Sequence, residues 1–212
     1  MVLELRKKYV IAASVAILLV VADQLIKYWV RVNIGNGPNI DVASWFKLCY
    51  VENPGAAFGM EFGPKIFLTL FRIVAVGCLS YCSYSVIKKG FSFSFAIALT
   101  LVTAGALGNI IDCVFYARIF DGGDWFVGKV VDMFFFPLIR TTWPDWTPWA
   151  GQSLVFFRPV FNLADAGITC GVFYMILFRT KELSKLFDMF GGDKDEKDNG
   201  KKDDGETTGA TE

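Results

Sequence analysis

Asp23, Lys27, Asn109, Asp112, Asn162 and Asp165 are the side chains best placed to do chemistry, because they interrupt or end otherwise apolar runs. Insertion scales put an Asp at the centre of a membrane span at roughly +2.5 to +3.5 kcal/mol, so such residues are usually kept for a function. Asn109 and Asp112 are spaced i,i+3, as are Asn162 and Asp165. Each pair therefore shares a helix face, where the carboxamide can donate to a neighbouring carboxylate. Two carboxylates in one site cannot both ionise at low cost, so one stays protonated, and the pair can run general acid–base chemistry on a water. Simpler readings compete. Asp23 and Lys27, at i,i+4, are either a stabilising helix pair or part of the site. Asp112 could instead terminate its helix, and Asp165 could be structural. Arg72 either snorkels outward or pairs with an acid.

The composition removes other chemistries. There are no histidines in the 212 residues, which excludes Ser-His-Asp and Cys-His catalysis and every His-based metal site. The five cysteines form no C-x-x-C pair. No metal or other cofactor is expected. Only Cys49 and Cys113 fall where a disulfide could matter. Formal net charge is zero, so nothing points to a nucleic-acid partner.

The elements that must position these residues are apolar. Hydrophobic residues make up 54% of the chain and charged ones 20%, and the excess falls in blocks of bilayer-crossing length, roughly 20 residues each. Spans are expected at about 9–30, 64–87, 91–111 and 159–178. Between them lie two long outer regions, 31–63 and 112–158. The first is β-prone over 41–52, and the second carries four of the six tryptophans, which read as an interfacial aromatic belt. The fold class is an all-α membrane protein, a four-helix bundle with a small β-rich outer subdomain. Residues 180–212 read as a charged, largely disordered cytoplasmic tail. Arg6, Lys7 and Lys8, Lys88 and Lys89, and Arg179 and Lys181 mark the cytoplasmic side, which places both termini inside. In this topology Asp23, Lys27, Asn109, Asp112, Asn162 and Asp165 all approach the outer surface.

Five ordered blocks carry a family resemblance. They are Asp23-Gln24-Leu25-Ile26-Lys27, Asn53-Pro54-Gly55-Ala56-Ala57-Phe58-Gly59, Gly105-Ala106-Leu107-Gly108-Asn109-Ile110-Ile111-Asp112, Val130-Val131-Asp132-Met133-Phe134 and Phe161-Asn162-Leu163-Ala164-Asp165. Over roughly residues 9–179 the chain resembles bacterial lipoprotein signal peptidase (signal peptidase II). The resemblance implies a membrane-embedded aspartyl endopeptidase of the bacterial inner membrane with its active site on the outer side. Its catalytic pair would be Asp132 and Asp165. From the residues alone, Asp112 ranks above Asp132. The resemblance makes Asp112 a supporting acid, alongside Asp23, Lys27, Asn53, Gly55, Ala57, Phe58, Gly108, Asn109, Asn162 and Ala164 as substrate-binding or site-supporting positions. The implied substrate is a prolipoprotein cut just before a diacylglyceryl-modified cysteine. The other expected partner is membrane lipid, and the protein reads as a monomer.

The chain departs from the family pattern in places. Cys113 stands directly after Asp112 where the family commonly has Arg, and Arg118 is the candidate substitute. The stretches from Asp112 to Asp132 and from Asp132 to Asn162 are longer than usual. Two rival functions remain. One is a proton-coupled transporter using Asp23, Asp112 and Asp165, although their clustering near one surface argues against a relay. The other is a non-catalytic lipid-binding protein, against which the retention of both Asp132 and Asp165 argues.

Overall fold

The computed structural model describes residues 2–35, 37–55, 65–156 and 159–191. Long apolar runs without interior proline give the main helices: α1 (Val2–Asn33), α2 (Lys65–Lys88) and α3 (Phe93–Ile111). Ser92 starts α3, its side chain accepting the Phe95 N–H. At its far end α3 does not stop. It passes through a π-helical turn, Asp112–Tyr116, into a short helix α4 (Ala117–Phe120). The helix thus runs on beyond the expected span end at about 111, with Cys113, Val114 and Tyr116 buried. Likewise α1 starts at Val2, well before residue 9. At a rise of 1.5 Å per residue its 32 residues extend about 48 Å, beyond a hydrocarbon layer of about 30 Å.

The antiparallel sheet order is β1-β2-β3-β6, from β1 (Ile40–Ala43), β2 (Phe46–Asn53), β3 (Val130–Phe135) and β6 (Val160–Phe161). A separate hairpin pairs β4 (Ile139–Thr142) with β5 (Ser153–Phe156). The β-prone reading of 41–52 corresponds to β1 and β2. Val131 and Met133 of β3 are buried against Val30 of α1 and Ile34 just beyond it, which fastens the sheet to one end of the bundle. At the hairpin tip, Trp143 and Trp149 lie with ring centroids 5.3 Å apart.

Helix α5 (Leu163–Phe178) follows β6 directly. It begins later than the expected 159, because Val160 and Phe161 are taken by the sheet. Its 16 residues span only about 24 Å. Among the described residues, three helices are long and apolar enough to cross a membrane: α1, α2 and the continuous Phe93–Phe120. A fourth crossing requires α5 together with α6 (Thr180–Gly191), and the two are bent by 101°. The first part of the expected tail is helical, as α6. Leu186 is buried in the cluster containing Phe91, Phe95 and Met175, with Leu183 and Met189 packed beside it. The Glu182 carboxylate accepts both the N–H and the hydroxyl of Ser92, each at 2.7 Å. The polar remainder of the tail, 192–212, lies outside the described residues.

Helix α3 is the centre of the bundle and packs on α1, α2 and α5. Its contact with α5 is close because the facing residues are small. A Cβ on Gly105 would meet the Ala164 carbonyl oxygen at 2.3 Å, and one on Gly171 would meet that of Ala98 at 2.5 Å. Large apolar side chains such as Leu18, Phe71, Val74 and Leu177 point outward, as a lipid-facing surface requires.

Candidate active site

The sheet-bearing end of the bundle collects the polar residues. At its heart is Lys27 of α1, fully buried with Asp23 and Asp112. Its ammonium group lies 2.8 Å from Asp23 Oδ2 and 2.8 Å from Asp112 Oδ2, and donates to Asn109 Oδ1 at 3.0 Å. Those three contacts account for its three N–H donors. The remaining carboxylate oxygens are also occupied. Asp23 Oδ1 accepts the Ala164 N–H at 2.9 Å. Asp112 Oδ2 also accepts the Val131 N–H at 3.1 Å, and Asp112 Oδ1 accepts Gln24 Nε2 at 2.9 Å. Asp23 thus holds the first turn of α5, while Asp112 holds β3 beside Asp132. Gly108 is required for this approach, since a Cβ there would lie 2.9 Å from Asp23 Oδ2.

Asp132 and Asp165 meet above this triad through Asn162. Antiparallel pairing of Phe134 with Phe161 brings the start of α5 alongside β3. Asn162 then caps α5. Its Oδ1 accepts the Asp165 N–H at 2.8 Å, and its own N–H donates to Asp165 Oδ2 at 3.4 Å, a reciprocal capping box. The Asn162 side-chain amide donates to Asp132 Oδ1 at 2.7 Å and to Asn109 Oδ1 at 3.1 Å. Asn109 in turn donates to Asp165 Oδ1 at 2.7 Å. From β2, Asn53 donates to Asp132 Oδ2 at 3.1 Å. Burial pushes Asp132 up to about 6; the Asn53 hydrogen bond opposes this, and the nearby Asp165 charge adds to it.

A cleft of about 270 Å³ opens beside Asp165 and reaches Asn53, the hydrogen-bond partner of Asp132. Asn53, Gly55, Arg72, Asn109 and Asp165 line its polar side, while Val76, Ala106 and Ile168 are among its apolar residues. The structure therefore gathers Asp23, Lys27, Asn53, Gly55, Gly108, Asn109, Asp112, Asp132, Asn162, Ala164 and Asp165 at one place. Ala57 and Phe58 lie outside the described residues.

Three further residues join the site that were not among the expected site positions. Gln24 bonds Asp112 and the Gly108 carbonyl, and accepts the Tyr116 hydroxyl at 3.1 Å. A glutamine in an apolar helix between Asp23 and Lys27 was a usable signal, whereas Tyr116 gave none. Arg72 is half-buried, and among the described residues it meets no acid. Its guanidinium donates to Cys113 Sγ at 3.1 Å and to the Gly55 carbonyl at 3.3 Å. Arg118 is exposed, so the cation beside Cys113 comes from α2 instead. Cys49 and Cys113 are both buried free thiols.

A bundle of apolar helices with a small sheet at one end, enclosing a carboxylate pair over a buried ion triad, defines a multi-pass membrane protein. The chain belongs to the signal peptidase II family: residues 15–181 match the family model described as Signal peptidase (SPase) II. It is 43% identical to a Porphyromonas gingivalis protein named lipoprotein signal peptidase, over 84% of this chain and 86% of that one. A lipoprotein signal peptidase from Amoebophilus asiaticus is 38% identical over 77% and 75% of the two chains. Among solved structures, the fold resembles a bacterial membrane enzyme determined by the in meso method, with a TM-score of 0.56 and 25% identity, covering 78% of this chain and 90% of that one.

Proposed function

We propose that this protein is an aspartyl endopeptidase of the bacterial inner membrane that removes signal peptides from prolipoproteins, cutting just before a diacylglyceryl-modified cysteine. The observation that carries this reading is the convergence of Asp132 and Asp165 on Asn162, beside a cleft with one polar and one apolar side. Both termini lie in the cytoplasm, and the sheet with the carboxyl pair lies at the outer surface. The chain crosses four times, the bent pair of α5 and α6 supplying the last crossing. The apolar side of the cleft receives the signal helix and lipid chains.

Burial favours the neutral form of Asp132, which suits it to the role of the acid, with Asp165 as the base. Asp165 takes a proton from a water held between the two. The water oxygen bonds to the scissile carbonyl carbon, and Asp132 gives its proton to the carbonyl oxygen. Collapse of the tetrahedral intermediate breaks the C–N bond as the proton on Asp165 passes to the leaving amine of the cysteine residue. The carbonyl oxygen's proton returns to Asp132. Asn53, Asn109 and Asn162 keep both carboxyls oriented throughout.

The test is to incubate detergent-purified protein with a diacylglyceryl-modified precursor and with its unmodified form, and to measure product masses. Cleavage of the lipidated form alone, before its cysteine, is expected. Intact lipidated precursor under conditions where the protein is folded overturns the reading. A second expectation concerns pH. Because Asp132 must be protonated, kcat/KM should fall as pH rises through an apparent value near 6, which belongs to the pair as a unit. A profile that rises with pH through this window would reverse the acid and base assignments.

A further inference from the structure

We propose that Arg72 is a positioning residue for this reaction, clamping the Asn53–Gly55 turn from inside α2 and, through Asn53, fixing the Asp132 carboxyl. The inference rests on the dyad reading above and extends it to a residue on a helix that contributes no acid.

The route is continuous. Arg72 lies two turns into α2, half-buried, on the wall of the cleft. One arm of its guanidinium is steadied by Cys113 Sγ at 3.1 Å, and the other donates to the Gly55 carbonyl at 3.3 Å. Gly55 has φ +79°, a left-handed conformation that an L side chain rarely adopts. A Cβ at this position would also lie 2.6 Å from Arg72 Nη2, so the planar cation packs directly on the glycine. The Gly55 N–H donates to Asn53 Oδ1 at 2.9 Å, closing an Asx-type turn. That bond sets which way the Asn53 amide faces. Its nitrogen is thereby turned toward Asp132 Oδ2 at 3.1 Å. Asn53 is the last residue of its strand, where the chain leaves the sheet for the turn.

A lysine cannot do the same work. It offers a compact ammonium group instead of a planar fork whose two arms reach separate acceptors. The effect of losing Arg72 should fall on the chemical step, because the turn positions an acid and the apolar side of the cleft is left untouched. Misplacement of a catalytic group by about 1 Å can cost on the order of 10²-fold in rate.

The experiment is a double-mutant cycle on the purified full chain with a lipidated precursor, using Arg72→Leu, Asn53→Ala and the double variant, with kcat and KM measured separately. Thermal unfolding in detergent reports folding of each. Arg72→Leu is expected to lower kcat by about 10- to 100-fold with KM little changed. In the Asn53→Ala background the same change should have little further effect, because its route to Asp132 is already cut. Arg72→Lys, carried through the same cycle, replaces Arg72→Leu if the leucine variant does not fold. Equal effects of the Arg72 change in both backgrounds overturn the proposal, as does an unaltered kcat in the folded single variant. Failure of the dyad reading is distinguishable, because it would appear as retained activity in an Asp165→Asn control.

Discussion

Asp132→Asn and Asp165→Asn are each expected to lower turnover of a lipidated precursor by about 10⁴-fold, while the variants still insert and fold. General acid–base participation by one positioned group is worth about 10²–10⁴ in rate, and either change leaves the pair without a group that can exchange a proton. The variants should fold because the substitution is nearly isosteric and breaks few bonds. At position 132 both carboxyl oxygens accept an amide N–H, from Asn162 and from Asn53. An asparagine keeps one of these and loses the other, a cost of about 1 kcal/mol. Removing a buried charge opposes that loss. The folded-state value of Asp132 is raised from 3.8 to about 6, so its ionised form is disfavoured on the order of 3 kcal/mol. Between those two values the folded state holds more protons than the unfolded one, so wild-type stability falls as pH rises through the window. Asp132→Asn should therefore be at least as stable as wild type above pH of about 6, and lose that advantage as pH falls toward 3.8. Purified Asp165→Asn that still cleaves at near wild-type rate removes the dyad mechanism.

Lys27→Met is expected to produce the largest loss of stability from a single change in this protein. Lys27 is the counter-ion of two carboxylates, and all three side chains are essentially excluded from solvent. Removing one partner of a buried ion cluster leaves uncompensated charge and typically costs about 3–5 kcal/mol. The damage should reach the active site by two routes. Asp23 holds the Ala164 N–H, next to Asp165, and Asp112 holds the Val131 N–H, next to Asp132. Thermal unfolding in detergent should show a lower midpoint, with activity lost in parallel. Adding Asp112→Asn to Lys27→Met should recover part of the loss, since one buried charge fewer is left unpaired. Asp112→Asn alone still accepts from Lys27 or Val131 and should be impaired but not inactive. An unchanged unfolding midpoint for Lys27→Met would mean that the triad does not hold this end of the bundle.

Much of this site could be read directly from residue types. Asp23, Lys27, Asn109, Asp112, Asn162 and Asp165 stand out because charge and carboxamide are costly in apolar runs, and cost makes a residue visible without a structure. Asp132 carries no such mark. It lies in a strand after Val130 and Val131, outside any span, where an aspartate is unremarkable, and only the block resemblance selected it. The chain also stays helical beyond two places where hydropathy would end a helix, at 111 and at 180. At the first, the acid finds Lys27 and Gln24. At the second, Leu183, Leu186 and Met189 find the Phe91–Phe95 cluster, and Glu182 finds Ser92. Helix ends are settled by partners distant in sequence, which no local window contains.

By itself, the sequence determined the apolar helices, the β-prone segment and the set of polar residues needing partners, because burial cost and periodicity are properties of each segment. Tertiary structure alone decided who those partners are. The pairing of β3 with β6 set Asp132 beside the cap of α5. Lys27 of α1 met a second carboxylate, Asp112, from the turn after α3, and a guanidinium from α2 came to rest on a glycine turn. Each is a contact between groups far apart along the chain, and its energy depends on distances that exist only once the helices have packed.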